Sequence, residues 1–218
     1  VLVVLRWHRA ILPSKEGAHE TRGASVLRAS SCPGTVDREQ RLRHSVHEAA
    51  HAVVAALYGA ELAYAEVYPF GMEGRPTDSG GQCVMAPWNV AVAQQEALIA
   101  AAGPVAEAVM LHGRRPSGAH IEARFAGGGR SDGDRIRRLE PEAGWSRSPA
   151  SEVLPLVVRC WPAICALAVR INSGRETRHK HVVAALGLSS NDYTRHPFEL
   201  SSIRAGLRAV PDPRRSRS

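Results

Sequence analysis

Two histidines, His47 and His51, stand four residues apart, with Glu48 directly after the first, in the stretch His-Glu-Ala-Ala-His. No other feature constrains the chain as strongly. Val46, Ala50, Val53, Val54 and Leu57 recur around them at helical spacing, and Gly59 follows where a helix would stop. On a helix, positions i and i+4 lie one above the other, so both imidazoles can point at one ion. Two histidines and a glutamate on a buried stripe are costly to desolvate unless something holds them. A metal ion does so, and the spacing is that of zinc hydrolase helices in which the glutamate is the general base. The competing reading is a core helix with two hydrogen-bonded histidines.

The length, 218 residues, and a hydrophobic content of 44% suit one domain with a sizeable core. The formal net charge of +7 comes almost wholly from arginine, since Lys15 and Lys180 are the only lysines. Only Arg135, Arg137, Arg138 and the tail residues Arg214, Arg215 and Arg217 cluster. This reads as a solvated face and a basic tail, and no nucleic-acid partner is expected. The cysteines Cys32, Cys83, Cys160 and Cys165 form no C-x-x-C pair, which argues against a cysteine zinc site. Their sparseness fits a reducing, cytoplasmic setting. There is no apolar run of the roughly 18 residues that a membrane span requires, and Val1–Leu5 is too short for a signal-peptide core.

Along the chain, residues 1–36 are rich in turn formers and read as a loosely ordered N-terminal segment. A domain is expected over 37–187, with a flexible basic tail over 188–218. Its first helix should run from about Asp37 to Tyr58. Residues 61–70 read as a strand, 71–81 as a Gly/Pro/Asp turn region, and 82–85 as a second strand, together a hairpin. Residues 89–112 read as a helix that Gly103-Pro104 kinks or splits. Residues 113–129, ending in three glycines, read as a mobile loop. Ser131 is a candidate cap for a helix with Ile136 and Leu139 on its apolar side. A long helix over 151–171, bent near Pro155 or Pro162, and a last helix over 175–187 complete a mainly α fold with a small β-hairpin.

A catalytic zinc takes three protein ligands and keeps one open position. Val54 and Leu57 occupy the places where a metzincin needs Gly and His, so that class is excluded. A glutamate on a later helix, Glu96 or Glu107, or an aspartate at a helix start, Asp132 or Asp134, remain as the third ligand. His44, His112 and His120 are mostly expected to face solvent.

The order of features resembles the peptidase domain of the FtsH-type, AAA-associated zinc metalloproteases. The matching pieces are the His-Glu-Ala-Ala-His helix, Val67-Tyr68-Pro69, Gly80-Gly81-Gln82-Cys83, the small-residue stretch Ala102–Ala108, Ser131-Asp132, and the late segments 161–168 and 181–186. The resemblance spans roughly residues 40–187. It implies an aspartate third ligand at a helix head with apolar residues at +4 and +7. Asp132, followed by Ile136 and Leu139, fits that pattern better than Asp134 does. It also implies that Glu107 either orients a zinc ligand or is a helix-surface carboxylate. Ala50 stands where the family commonly has glycine, and alanine is the better helix former. Neither the ATPase module nor the membrane anchor usual in the family is expected in these residues, so the resemblance does not imply ATP-driven threading of folded substrates.

The expected function is that of a zinc-dependent endopeptidase. His47, His51 and Asp132 hold Zn2+, Glu48 is the general base, and a polypeptide is the substrate, with a homo-oligomer or a separate ATPase as possible partner. The strand near 62–68 offers an edge to an extended peptide. The alternative is a catalytically inactive interaction or regulatory module of the same fold, and the intact Glu48 speaks against it.

Overall fold

A computed structural model describes residues 33–68, 80–86, 90–143, 147–189 and 192–212. The expectations for residues 1–32, for most of the turn region at 71–79, and for the arginines of the tail lie outside these residues. The fold is mainly helical with one two-stranded antiparallel sheet.

Helix α1 runs from Pro33 to Leu57, opening four residues before Asp37 on a proline, which suits a first turn. It closes on Gly59, whose φ of 86° lies in the left-handed region. Strands β1 (Leu62–Val67) and β2 (Gly81–Met85) follow as an antiparallel pair, with Ala65 opposite Cys83 and Val67 opposite Gly81. A short helix α2 (Val90–Ala93) precedes α3 (Glu96–His112). Every residue of α3 from Ala97 to Val109 is buried. A helix apolar on all sides belongs at the centre of a fold, and α3 packs there against α1. Pro104 lies inside α3 without dividing it, so the expected split does not occur. The missing N–H costs one backbone hydrogen bond, and tight packing on all sides holds the helix together.

Two stretches read as irregular are helical, one within 113–129 and one within the expected tail. Helix α4 (Gly118–Ala126) occupies the middle of the expected 113–129 loop, capped by Ser117, whose hydroxyl accepts from the His120 backbone N–H at 3.3 Å. Its one buried residue, Ile121, gives too short a stripe for periodicity to register. A Cβ at Gly129 would lie 2.4 Å from the Pro104 ring, so the smallness of this glycine lets the chain lie flush on α3. Helix α5 (Arg130–Ala143) then begins one residue before Ser131. Ser131 is therefore within the helix and not its cap, and Asp132 sits in the first turn.

The long apolar stretch forms two helices, α6 (Pro149–Arg159) and α7 (Trp161–Asn172), which meet at 83°. The break falls at Cys160, two residues before Pro162, whose ring and missing N–H forbid continuation; Pro155 stays inside α6. No single described helix is long and apolar enough to cross a membrane. Helix α8 (His179–Ala185) follows. The expected tail is corrected over 192–212. A 3-10 turn (Tyr193–Arg195) leads into α9 (His196–Ala205), which buries Leu200 and Ile203 in the common core.

Candidate metal centre

His47, Glu48 and His51 lie on the stretch of α1 that passes under α3 and the sheet, and all three are buried. Each imidazole has its Nδ1 committed. The His47 Nδ1–H donates to Glu107 Oε1 at 2.7 Å, and the His51 Nδ1–H donates to the Ile99 carbonyl at 2.7 Å. Both acceptors belong to α3. These bonds turn the two Nε2 atoms toward one point, where each imidazole could offer its Nε2 to a metal ion.

At that point stands Asp132, 2% exposed, carried in by α5. Its Oδ2 is 3.1 Å from His47 Nε2, and its Oδ1 is 3.6 Å from His51 Nε2. The 3.1 Å approach has hydrogen-bonding distance without hydrogen-bonding alignment, and Oδ2 has no hydrogen-bond partner. An orphaned buried carboxylate oxygen is costly. One ligand atom from each of the three side chains lies within 4.8 Å of the other two. Donors on a tetrahedral zinc, at about 2.0–2.1 Å each, stand roughly 3.3 Å apart. The donor set and its spacing therefore fit a zinc ion, and a cation there would satisfy Oδ2.

The surrounding backbone leaves the space open. A Cβ at Gly103 of α3 would lie 2.5 Å from both Nε2 atoms, so only glycine lets α3 cross here. A Cβ at Gly81 of β2 would lie 2.9 Å from Glu48 Cγ and from Val67 Cγ1. The sheet thus holds Glu48 against the histidines.

The electrostatics call for a positive charge. Burial alone would lower the His47 pKa, but the carboxylates of Asp132 and Glu107 outweigh it and raise it well above the ordinary value. His51 goes the other way, down to about 4, chiefly through burial, which favours the neutral imidazole. Burial pushes Glu48 up to about 8; the His47 charge opposes this, and the Asp132 and Glu107 carboxylates add to it.

The other candidates are placed elsewhere. Asp134 is half-buried and pairs with Arg137, away from the histidines, and Glu96 pairs with Arg135. Glu107, 3% exposed, is no surface carboxylate, and it holds His47 from behind. His112 and His120 are exposed and stacked on each other, while His44 is half-buried beside Gly80. Cys83 and Cys160 are buried thiols and Cys165 is half-buried. The Ile99 carbonyl had no sequence signal, because a backbone acceptor leaves none.

No family model matches this chain, and no curated protein matches it. Fold and site together define a mainly helical protein with a buried His-His-Asp group able to hold a metal ion, compatible with a zinc peptidase domain.

Proposed function

We propose that this protein is a zinc-dependent metallopeptidase whose domain is of the FtsH-type peptidase kind, acting on extended or unfolded polypeptide. One observation carries the reading: two imidazoles with Nδ1 tied back converge through Nε2 on an aspartate oxygen that lacks a hydrogen bond. His47, His51 and Asp132 would hold the ion. Zinc in such a site supplies Lewis acidity and lowers the pKa of water toward neutrality. Glu48 supplies the proton acceptor. Buried next to His47 on α1, its carboxylate would accept a proton from the attacking water and pass it to the departing amine. Glu107 and the Ile99 carbonyl keep the imidazoles in the ligating tautomer throughout.

The test is zinc content and casein cleavage for the purified protein and for Glu48→Gln. The expected result is one zinc per chain in both, with cleavage in the parent alone. Zinc in both with cleavage in neither would favour the non-catalytic module, and a chain that takes up no zinc even from excess would end the reading.

A further inference from the structure

Helix α5 brings Asp132 to the histidines, yet apolar burial among its described side chains is slight. Among its described residues only Asp132 and Gly133 are buried, while Ile136 and Leu139 are half-buried. A carboxylate that must meet two imidazoles needs a further constraint. The Arg135 Nε–H donates to the Glu96 carboxylate, and the two side chains are only 12% and 19% exposed. The pairs Arg137–Asp134 and Arg178–Glu176, by contrast, have partners between 48% and 65% exposed. Exposed pairs contribute little, whereas breaking a shielded pair leaves a charge without compensation. The position of the pair matters as much as its burial. Arg135 is three residues after Asp132 on α5, and Glu96 is three residues before Ile99 on α3. Residues three apart share a helix face. The pair therefore bolts together, one turn from the site on each side, the helix that delivers Asp132 and the helix whose Ile99 carbonyl orients His51.

We propose that the Glu96–Arg135 ion pair is a positioning device that sets the Asp132 carboxylate against the two imidazoles and thereby tunes the metal affinity of the site. The proposal rests on the metal reading given above. Neither residue is one of the three candidate ligands, and in this scheme both act through Asp132.

The experiment is a double-mutant cycle read as zinc affinity, by competition with a chromophoric chelator. Arg135→Ala and Glu96→Ala are measured with Asp132 intact and again in Asp132→Ala. With Asp132 intact each should weaken zinc binding about tenfold, the lower range for groups that support metal ligands. The two combined should weaken it no more than either alone. In Asp132→Ala both should change affinity less than twofold. An equal loss with and without Asp132 would mean general destabilisation and overturn the proposal, as would unchanged affinity in both variants. Should the alanine variants not fold, Glu96→Gln, which keeps shape and an acceptor but not the charge, carries the same cycle. A parent that binds no zinc would sink the metal reading and this inference together; a parent that binds while the variants bind equally well would sink the inference alone.

Discussion

At the scale of single residues, glycine does as much for the site as the ligands do. Gly103 lies against both Nε2 atoms, where a methyl group would come within 2.5 Å of each. Alanine is nevertheless about 1 kcal/mol better than glycine inside a helix. Gly103→Ala should therefore abolish zinc binding, with at least a hundredfold loss of affinity, while helical circular dichroism persists in the metal-free protein. Retained zinc at parental affinity would show that α3 stands further from the site. Glu48 allows a prediction of opposite character. In the metal-free fold its pKa is pushed from 4.5 to about 8 by burial. Between those values the folded chain keeps a proton that the unfolded chain releases, so stability falls as pH rises through that window. Glutamine has no such proton to lose. With chelator present, Glu48→Gln should be more stable than the parent at pH 8, and the gap should close toward pH 4.5, as read by urea denaturation at both pH values. The site residues on α1 were legible because i,i+4 spacing is a local property. Asp132 was separable from Asp134 only through a family resemblance, since both aspartates read as helix-start residues.

Among elements, α9 shows where sequence patterning failed. It lies in a Ser-, Pro- and Arg-rich stretch and contributes only Leu200 and Ile203 to the core. Two core residues in ten make too short a stripe, and the exposed Phe198 blurs it. The structure nonetheless ties α9 to the end of the helix that carries the two histidines. Arg204 donates to the Leu57 carbonyl, and its guanidinium lies 5.2 Å from the Tyr58 ring centroid. A cation at a helix C-terminus is favourable, so α9 stabilises α1 from a place the sequence reads as tail. Ile203 is 0% exposed, and Ile203→Ala should cost about 2–5 kcal/mol of unfolding free energy. Val169→Ala, at a position 67% exposed, should stay within about 0.5 kcal/mol. Similar values for the two in chemical denaturation would place α9 outside the cooperative core. Helices α1 and α3 and the hairpin were legible for the converse reason: their apolar residues are many and periodic.

For the molecule as a whole, the core and a metal bound at the His-His-Asp group would be separate sources of stability. Val53, Val54, Ile99, Ile164 and Leu167 are almost completely buried in one cluster that does not depend on the ion. Chelation should therefore leave helical circular dichroism nearly unchanged while lowering the melting temperature. Zinc at about a thousand times its Kd should restore about 4 kcal/mol. Loss of helix on chelation would mean that the metal is part of the folding nucleus, as in zinc fingers. The sequence by itself determined that a helix carries two imidazoles and a carboxylate on adjoining faces, because helical geometry repeats within a few residues of chain. Which oxygen completes the group was decided only by tertiary structure, as were the roles of Glu107, at 60 residues' separation from His47, and of the Ile99 carbonyl. Those contacts depend on how α3 and α5 pack across α1, and packing between distant segments is set by the shape of the whole core, which no local pattern encodes.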